Sequence, residues 1–162
     1  MELVDLYDEN RVPLGKTTER HAPKSPGEYR MVVHVCLFDS AGRLLIQRRT
    51  PNKTIWPDRW DVSVGGGVDA GETSRQAAER EFLEELGFPL DLSGLRPSLT
   101  VNFPEGFDDF YILITLQQAK SPIDEFKTDH RPQKQPRFRW SGAVFVFIVF
   151  LYLIKVSFLC FS

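Results

Sequence analysis

Glycines and glutamates crowd together between Gly65 and Phe88, in the run GGGVDAGETSRQAAEREFLEELGF. Glu81, Glu84 and Glu85 are spaced i, i+3, i+4, which puts all three carboxylates on one face of a helix. Like charges at that spacing repel by roughly 0.2–0.5 kcal/mol per pair. Arg80 offsets only part of that. A charged helix face is more often simply solvated. The glycines beside this one point to chemistry instead. Backbone without side chains can approach a phosphate closely, and a carboxylate cluster suits hard cations such as Mg²⁺, which share oxygen ligands with substrate phosphates.

The elements that must hold these residues can be read from local pattern. Thr73 and Gln76 make a capping box at the start of a helix. Gly87 suits the left-handed residue just past its end. Ala78, Phe82 and Leu86 form its core-facing stripe. Trp60–Val64 alternates as a strand that runs straight into Gly65, Gly66 and Gly67. Upstream, 29–38 (YRMVVHVCLF) and 43–49 (RLLIQRR) predict two strands joined by a turn at 39–42, a β-hairpin. Residues 2–8 predict a short strand, and 10–26 irregular structure with one short strand at most. Beyond the helix, 99–103 and 109–116 predict two more strands around a turn at 104–106, and 137–140 a last short one. Strands on both sides of one amphipathic helix indicate an α/β fold with a mixed sheet.

The chain has 162 residues and a net charge of −2, so charge alone implies no nucleic-acid surface. Its two cysteines, Cys36 and Cys160, lie too far apart for a metal-ligand spacing. Cys36 sits in an apolar run as a reduced core thiol. The N-terminus lacks a basic stretch followed by an apolar one, so no signal peptide is expected, and a cytoplasmic location is.

Gly66, five residues, Glu72, seven residues, then Arg80-Glu81-Phe82-Leu83-Glu84-Glu85-Leu86-Gly87-Phe88 resembles the Nudix box. That is the signature of hydrolases that cleave a nucleoside diphosphate linked to another group. Every fixed position of the pattern is filled, and Phe82 and Phe88 occupy its bulky apolar positions. The likeness covers roughly residues 1–116. It implies an α/β/α sandwich with a mixed sheet, a domain over 1–140, a small-molecule diphosphate substrate and a Mg²⁺ cofactor, with Mn²⁺ as the alternative. It also implies roles. Glu81, Glu84 and Glu85 would be catalytic and metal-binding, with the Gly65 carbonyl as a further ligand. Glu72 and Arg80 would form a salt bridge, and Gly66, Gly67 and Gly71 would shape the phosphate loop. Glu81 is the favoured proton acceptor; Glu105, Asp108, Asp109 and Glu125 are candidates outside the box. Family members are often homodimers.

The N-terminal half, from YDENRVPLGKTTERHAP through RLLIQRRTPNKTIWPDRWDVSV, is also similar to isopentenyl-diphosphate isomerase and to Nudix hydrolases related to it. The isomerase's catalytic cysteine falls here at Gly65. One of its metal-binding histidines falls at Gly67 and another near Arg30. The isomerase-like hydrolases therefore fit better than the isomerase, with a catalytically inactive nucleotide-binding module as the remaining alternative. His34 reads as a hydrogen-bonded sheet histidine. His21 matches an isomerase histidine only loosely. Trp56 and Trp60 are expected in the core, or else stacked on a substrate base.

Residues 141–162 depart from the family's pattern. Ala143–Ile154 carries no charge, Lys155 interrupts, and the apolar character then resumes to Phe161. Three readings fit 143–161: a membrane anchor, for which about 20 apolar residues are needed, a buried core segment, or an ending foreign to the family, as a frameshift or truncation of the gene would produce. The abrupt change in composition near residue 120 favours the last.

Overall fold

A computed structural model describes residues 2–53 and 55–115, together with the backbone strand at 137–141. Glu125, Cys160, the polar stretch 117–136 and the apolar segment 143–162 lie outside the described residues. Among the described residues, no helix is long and apolar enough to cross a membrane.

The elements run β1 (Leu3–Tyr7), β2 (Pro13–Glu19), β3 (Arg30–Phe38), β4 (Leu44–Arg48), β5 (Trp60–Asp61), β6 (Val64–Gly67), α1 (Ser74–Leu86), β7 (Leu99–Phe103), β8 (Gly106–Ile114) and β9 (Arg137–Ser141). β1 and β2 pair antiparallel as a separate ribbon. The other seven strands form one mixed sheet. At its centre β3 and β8 run parallel in unbroken register from Arg30↔Gly106 to Phe38↔Ile114. Gly106 opens β8 because a Cβ there would meet the Arg30 carbonyl oxygen. β7 flanks β8 antiparallel.

Along β3 the odd positions Met31, Val33, Val35 and Leu37 face α1, where they meet Ala77, Ala78, Phe82 and Leu86 in the larger core cluster. Burying a side chain of the Phe82 class contributes about 1.5–3 kcal/mol. Phe82 also receives the Phe88 ring edge-on, with centroids 5.1 Å apart. Cys36 points to the other face, into a smaller cluster with Leu44, Val62 and Phe110. Burial pushes its thiol up to about 12.

The helix keeps both of its expected caps. The Thr73–Gln76 box is complete, and Gly87 adopts φ 81°. Three strand expectations need correction. The hairpin over 29–49 is paired only at Phe38↔Leu44. Beyond that point β4 pairs with β5 and β9, and β6 takes the vacated edge of β3. The strand expected at 60–64 breaks at Val62–Ser63. There Ser63 Oγ accepts from Leu37 N at 2.9 Å and donates to Leu45 O at 2.6 Å. One hydroxyl thus bridges β3 and β4 where their ladder opens. Finally, β8 starts at Gly106, three residues ahead of its expected start.

Candidate active site

Glu81 and Glu85, one turn apart on α1, turn toward β6. Glu81 is only 8% exposed. Its carboxyl fills the space where a Cβ of Gly66 would stand, so residue 66 must be glycine for this approach. Glu85 accepts from Gln47 Nε2 at 2.9 Å and from the Gly65 backbone N–H. Burial, and then the charge of Glu81, push Glu85 up to about 7. Burial also raises Glu81, against the opposing pull of Arg80. Glu84 stands apart at the rim, its side chain 58% exposed and 3.7 Å from Arg80 Nη1. The shared face expected for three carboxylates therefore divides into an inward pair and an outward third. Among the described residues, no group of three or more His, Cys, Asp or Glu side chains is placed to hold an ion.

Arg80 connects helix, loop and strand. Its Nε and Nη2 meet both oxygens of Glu72, at 2.8 and 2.9 Å. Nη1 donates to Glu81 Oε1 at 2.9 Å, and Nη2 to the Gly67 carbonyl at 3.0 Å. The guanidinium holds Glu72 below the usual carboxylate range, chiefly through these hydrogen bonds. Glu72 in turn accepts from Asp69 N at 3.1 Å, and Asp5 of β1 accepts from Gly71 N at 2.8 Å. The loop between β6 and α1 is thus tied at three points.

The glycines divide differently from expectation. Gly66 and Gly67 lie in β6, paired with Val33 and Val32, and are not loop residues. Close approach is what they serve. Gly71 does lie in the loop, where its φ of 84° disfavours other residues. Gly65 pairs with His34, and a Cβ at Gly65 would stand 2.5 Å from His34 Cδ2.

The acids outside the box have other engagements. Asp108 meets His34 Nδ1 at 2.7 Å, and His34 stacks on Phe110. Asp109 accepts from Arg11 at 2.8 Å and from Thr100 at 2.5 Å. Glu105 is exposed beside Arg30. Trp60 is 43% exposed, which removes it from the core. Gln47 escaped sequence reasoning, its one local signal being an amide inside an apolar strand. Arg20, packed against Gly67, gave none.

Glu81 and Glu85 are held by N–H donors and themselves offer neighbouring carboxylate oxygens, the hard ligand type that suits a divalent cation. The NUDIX domain family model matches residues 28–147. An uncharacterised Nudix hydrolase of Listeria monocytogenes is 50% identical over 136 residues, covering 79% of this chain and 80% of that one. An isopentenyl-diphosphate Delta-isomerase of Streptomyces coelicolor is 36% identical, over 64% of this chain and 52% of its own length. Among solved structures, a Deinococcus radiodurans protein superposes with a TM-score of 0.66 at 28% identity, covering 86% of this chain and 83% of that one. At this identity and coverage the chain belongs to the Nudix family, and it is a hydrolase acting on pyrophosphate bonds.

Proposed function

We propose that the chain hydrolyses the diphosphate linkage of a nucleoside diphosphate derivative, or of a related organic pyrophosphate, with Mg²⁺ as its cation and Mn²⁺ as a substitute, in the cytoplasm. The domain responsible spans 1–140. Glu81, Glu85 and the Gly65 carbonyl would hold the cation from the inner side, and Glu84 would reach it from the rim. When bound, it neutralises phosphate oxygens and acidifies the attacking water. Glu81 accepts the proton of that water. Glu72 and Arg80 position the loop, and Arg80 keeps Glu81 oriented through its hydrogen bond. Gly66 leaves room for the Glu81 carboxyl and Gly67 for the Arg20 guanidinium, which brings both charged groups up to the backbone where the phosphates would bind.

One observation carries this reading. Two neighbouring carboxylates, Glu81 buried and Glu85 half-buried, pack beside the glycines of β6, and desolvation and the charge of Glu81 push Glu85 up to about 7. Such an arrangement is costly in a purely structural role and useful next to a cation. A second assignment of the proton acceptor, to Glu85, is favoured by its value of about 7, close to the optimum for a general base at neutral pH. Isomerase-like chemistry is disfavoured by residue 65. A cysteine side chain placed there would run into the His34 ring.

The test is a panel of nucleotide sugars, dinucleotides, nucleoside triphosphates and prenyl diphosphates, assayed with Mg²⁺, with Mn²⁺ and with chelator. Cation-dependent release of a phosphorylated product is expected. Binding without turnover across the panel would leave only the inactive module. The pH profiles of Glu81→Gln and Glu85→Gln separate the two proton acceptors, since only loss of the acceptor removes the acidic limb.

A further inference from the structure

A second charged cluster adjoins the carboxylates, and it is basic. Arg20 follows β2, Lys24 lies in the connection to β3, and Arg30 opens β3. Arg20 lies against Gly67, where a Cβ would stand 2.9 Å from its guanidinium carbon. The Gly67 carbonyl is the one that accepts from Arg80, which also contacts Glu81. A single glycine therefore separates this cluster from the acidic one.

The cations are positioned, and the acids that pair with the two arginines are largely exposed. Lys24 Nζ donates to the carbonyls of Arg20 and Ala22 at 2.9 and 2.6 Å. That fixes the ammonium and leaves one N–H to give. The Arg30 guanidinium lies over the Phe103 ring, 5.5 Å from its centroid. Its Nε is buried and has no hydrogen-bond partner, an omission that ordinarily costs about 1–3 kcal/mol. Its nearest acid, Glu105, stands at 3.6 Å with a side chain 64% exposed. Arg20 pairs with Glu2, also mostly exposed. Partial burial, and then the neighbouring charge of Arg30, lower Lys24, and burial lowers Arg30. Arg30 repels both Lys24 and Arg20, and a lysine beside two arginines with planar donor forks suits a phosphate group.

We propose that Arg20, Lys24 and Arg30 form an anion subsite that takes a further phosphate of the substrate, beyond the linkage that is cleaved. The inference rests on the hydrolase reading for its substrate but not for its ligand chemistry. The extra phosphate can extend the chain, as in a nucleoside triphosphate, or sit elsewhere as a phosphomonoester.

The direct test is calorimetry of inorganic tripolyphosphate binding with chelator present. Arg30→Gln and Lys24→Gln should each weaken binding about tenfold. Arg30→Lys should recover part of the loss, and Lys16→Gln, at an exposed pair with Glu28, should change nothing. Should Arg30→Gln melt early, Lys24→Gln decides alone, because Lys24 lies in the irregular connection between β2 and β3. A kinetic arm compares kcat/KM for three substrates: a diphosphate-linked compound without another phosphate, a triphosphate, and one bearing a ribose phosphomonoester. The variants should lower the preference for whichever extended substrate the subsite serves. Wild-type affinity for tripolyphosphate in both variants would overturn the proposal. Arg30-dependent binding by a chain that hydrolyses nothing would leave the subsite standing and remove the hydrolase reading instead.

Discussion

Two pairs of acids are drawn inward in this fold, one fully buried and one with Glu85 half-buried, and they are treated in opposite ways. Asp108 and Asp109 on β8 are each 0% exposed, and each is matched: Asp108 to His34, Asp109 to Arg11 and Thr100. Glu81 and Glu85 on α1 are packed beside each other instead. Between them they have one arginine contact, one side-chain amide contact and the Gly65 N–H, and both carboxyls are raised by burial. Burial alone does not distinguish a working acid from a structural one. The partner does: a matched carboxylate completes a network, while two adjacent ones keep capacity for a cation.

The comparison is broken most directly at Glu85. Glu85→Gln keeps the shape, can still bond to Gln47 and removes one of the two neighbouring charges. Turnover with Mg²⁺ should fall by about 10²–10³-fold, the usual cost of a lost electrostatic group at a reacting phosphate or carbonyl. Its thermal midpoint should stay level or rise. Undiminished turnover would place the catalytic cation elsewhere.

Asp109 should behave in the reverse sense. Asp109→Ala strands Arg11 and Thr100, and removing one partner of a buried pair costs about 3–5 kcal/mol. Arg11 is 35% exposed, so solvent recovers some of that, leaving about 2–4 kcal/mol. Urea unfolding measures it. If Asp109→Ala is as stable as the parent yet inactive, the two pairs have been assigned the wrong way round.

The two pairs also differ in how visible they are from sequence. The local features around Glu81 and Glu85 in the 66–88 window were legible: the Thr73–Gln76 cap, the Gly87 stop, the apolar stripe and the Glu72–Arg80 spacing. Those features depend on contacts a few residues apart, which local pattern encodes. His34–Asp108 spans 74 residues and Arg11–Asp109 spans 98, and no local pattern reports such pairings. Gln47 reaches Glu85 for the same reason without announcing itself. The hairpin over 29–49 forms at its turn and opens beyond Phe38↔Leu44, because strand propensity names strands but not their neighbours. β6 and β9 compete for edges that the turn at 39–42 seemed to have settled. The inward turn of Glu81 and Glu85, away from Glu84, was also hidden, since helical spacing gives a shared face but not how deep the sheet lets each residue sit.

A pH titration of stability sharpens the contrast. Glu85 is lifted from 4.5 to about 7 in the folded chain. Between those values the folded state holds a proton that the unfolded state has released, so stability falls as pH rises through the window. Above about 7 the whole penalty is present, about 1–3 kcal/mol once partial solvation is allowed for. Glu81, raised in the same direction, adds to it. Glu72 is lowered, so its contribution is lost only below the ordinary carboxylate range, outside this window. The metal-free protein should therefore melt higher at pH 5.5 than at pH 8. Glu85→Gln should flatten the difference, and Mg²⁺ added at pH 8 should raise the midpoint by mass action. A flat profile in the parent protein would mean that Glu85 is not held near neutrality.

The smallest expected effect lies at Glu72, which shares Arg80 with the working pair and so tests where the boundary between the two treatments falls. Its side chain is 23% exposed and that of Arg80 26%, which limits the bidentate pair to about 1 kcal/mol. Glu72→Gln should lose roughly that much stability and lower kcat severalfold with little change in KM, since Glu72 acts through Arg80 and touches no substrate. A double-mutant cycle with Arg80→Lys should show most of the loss as coupling between the two. If Glu72→Gln instead raised KM and left kcat alone, Glu72 would belong with the residues that meet the substrate, and the division between matched and working carboxylates would have to be drawn on its other side.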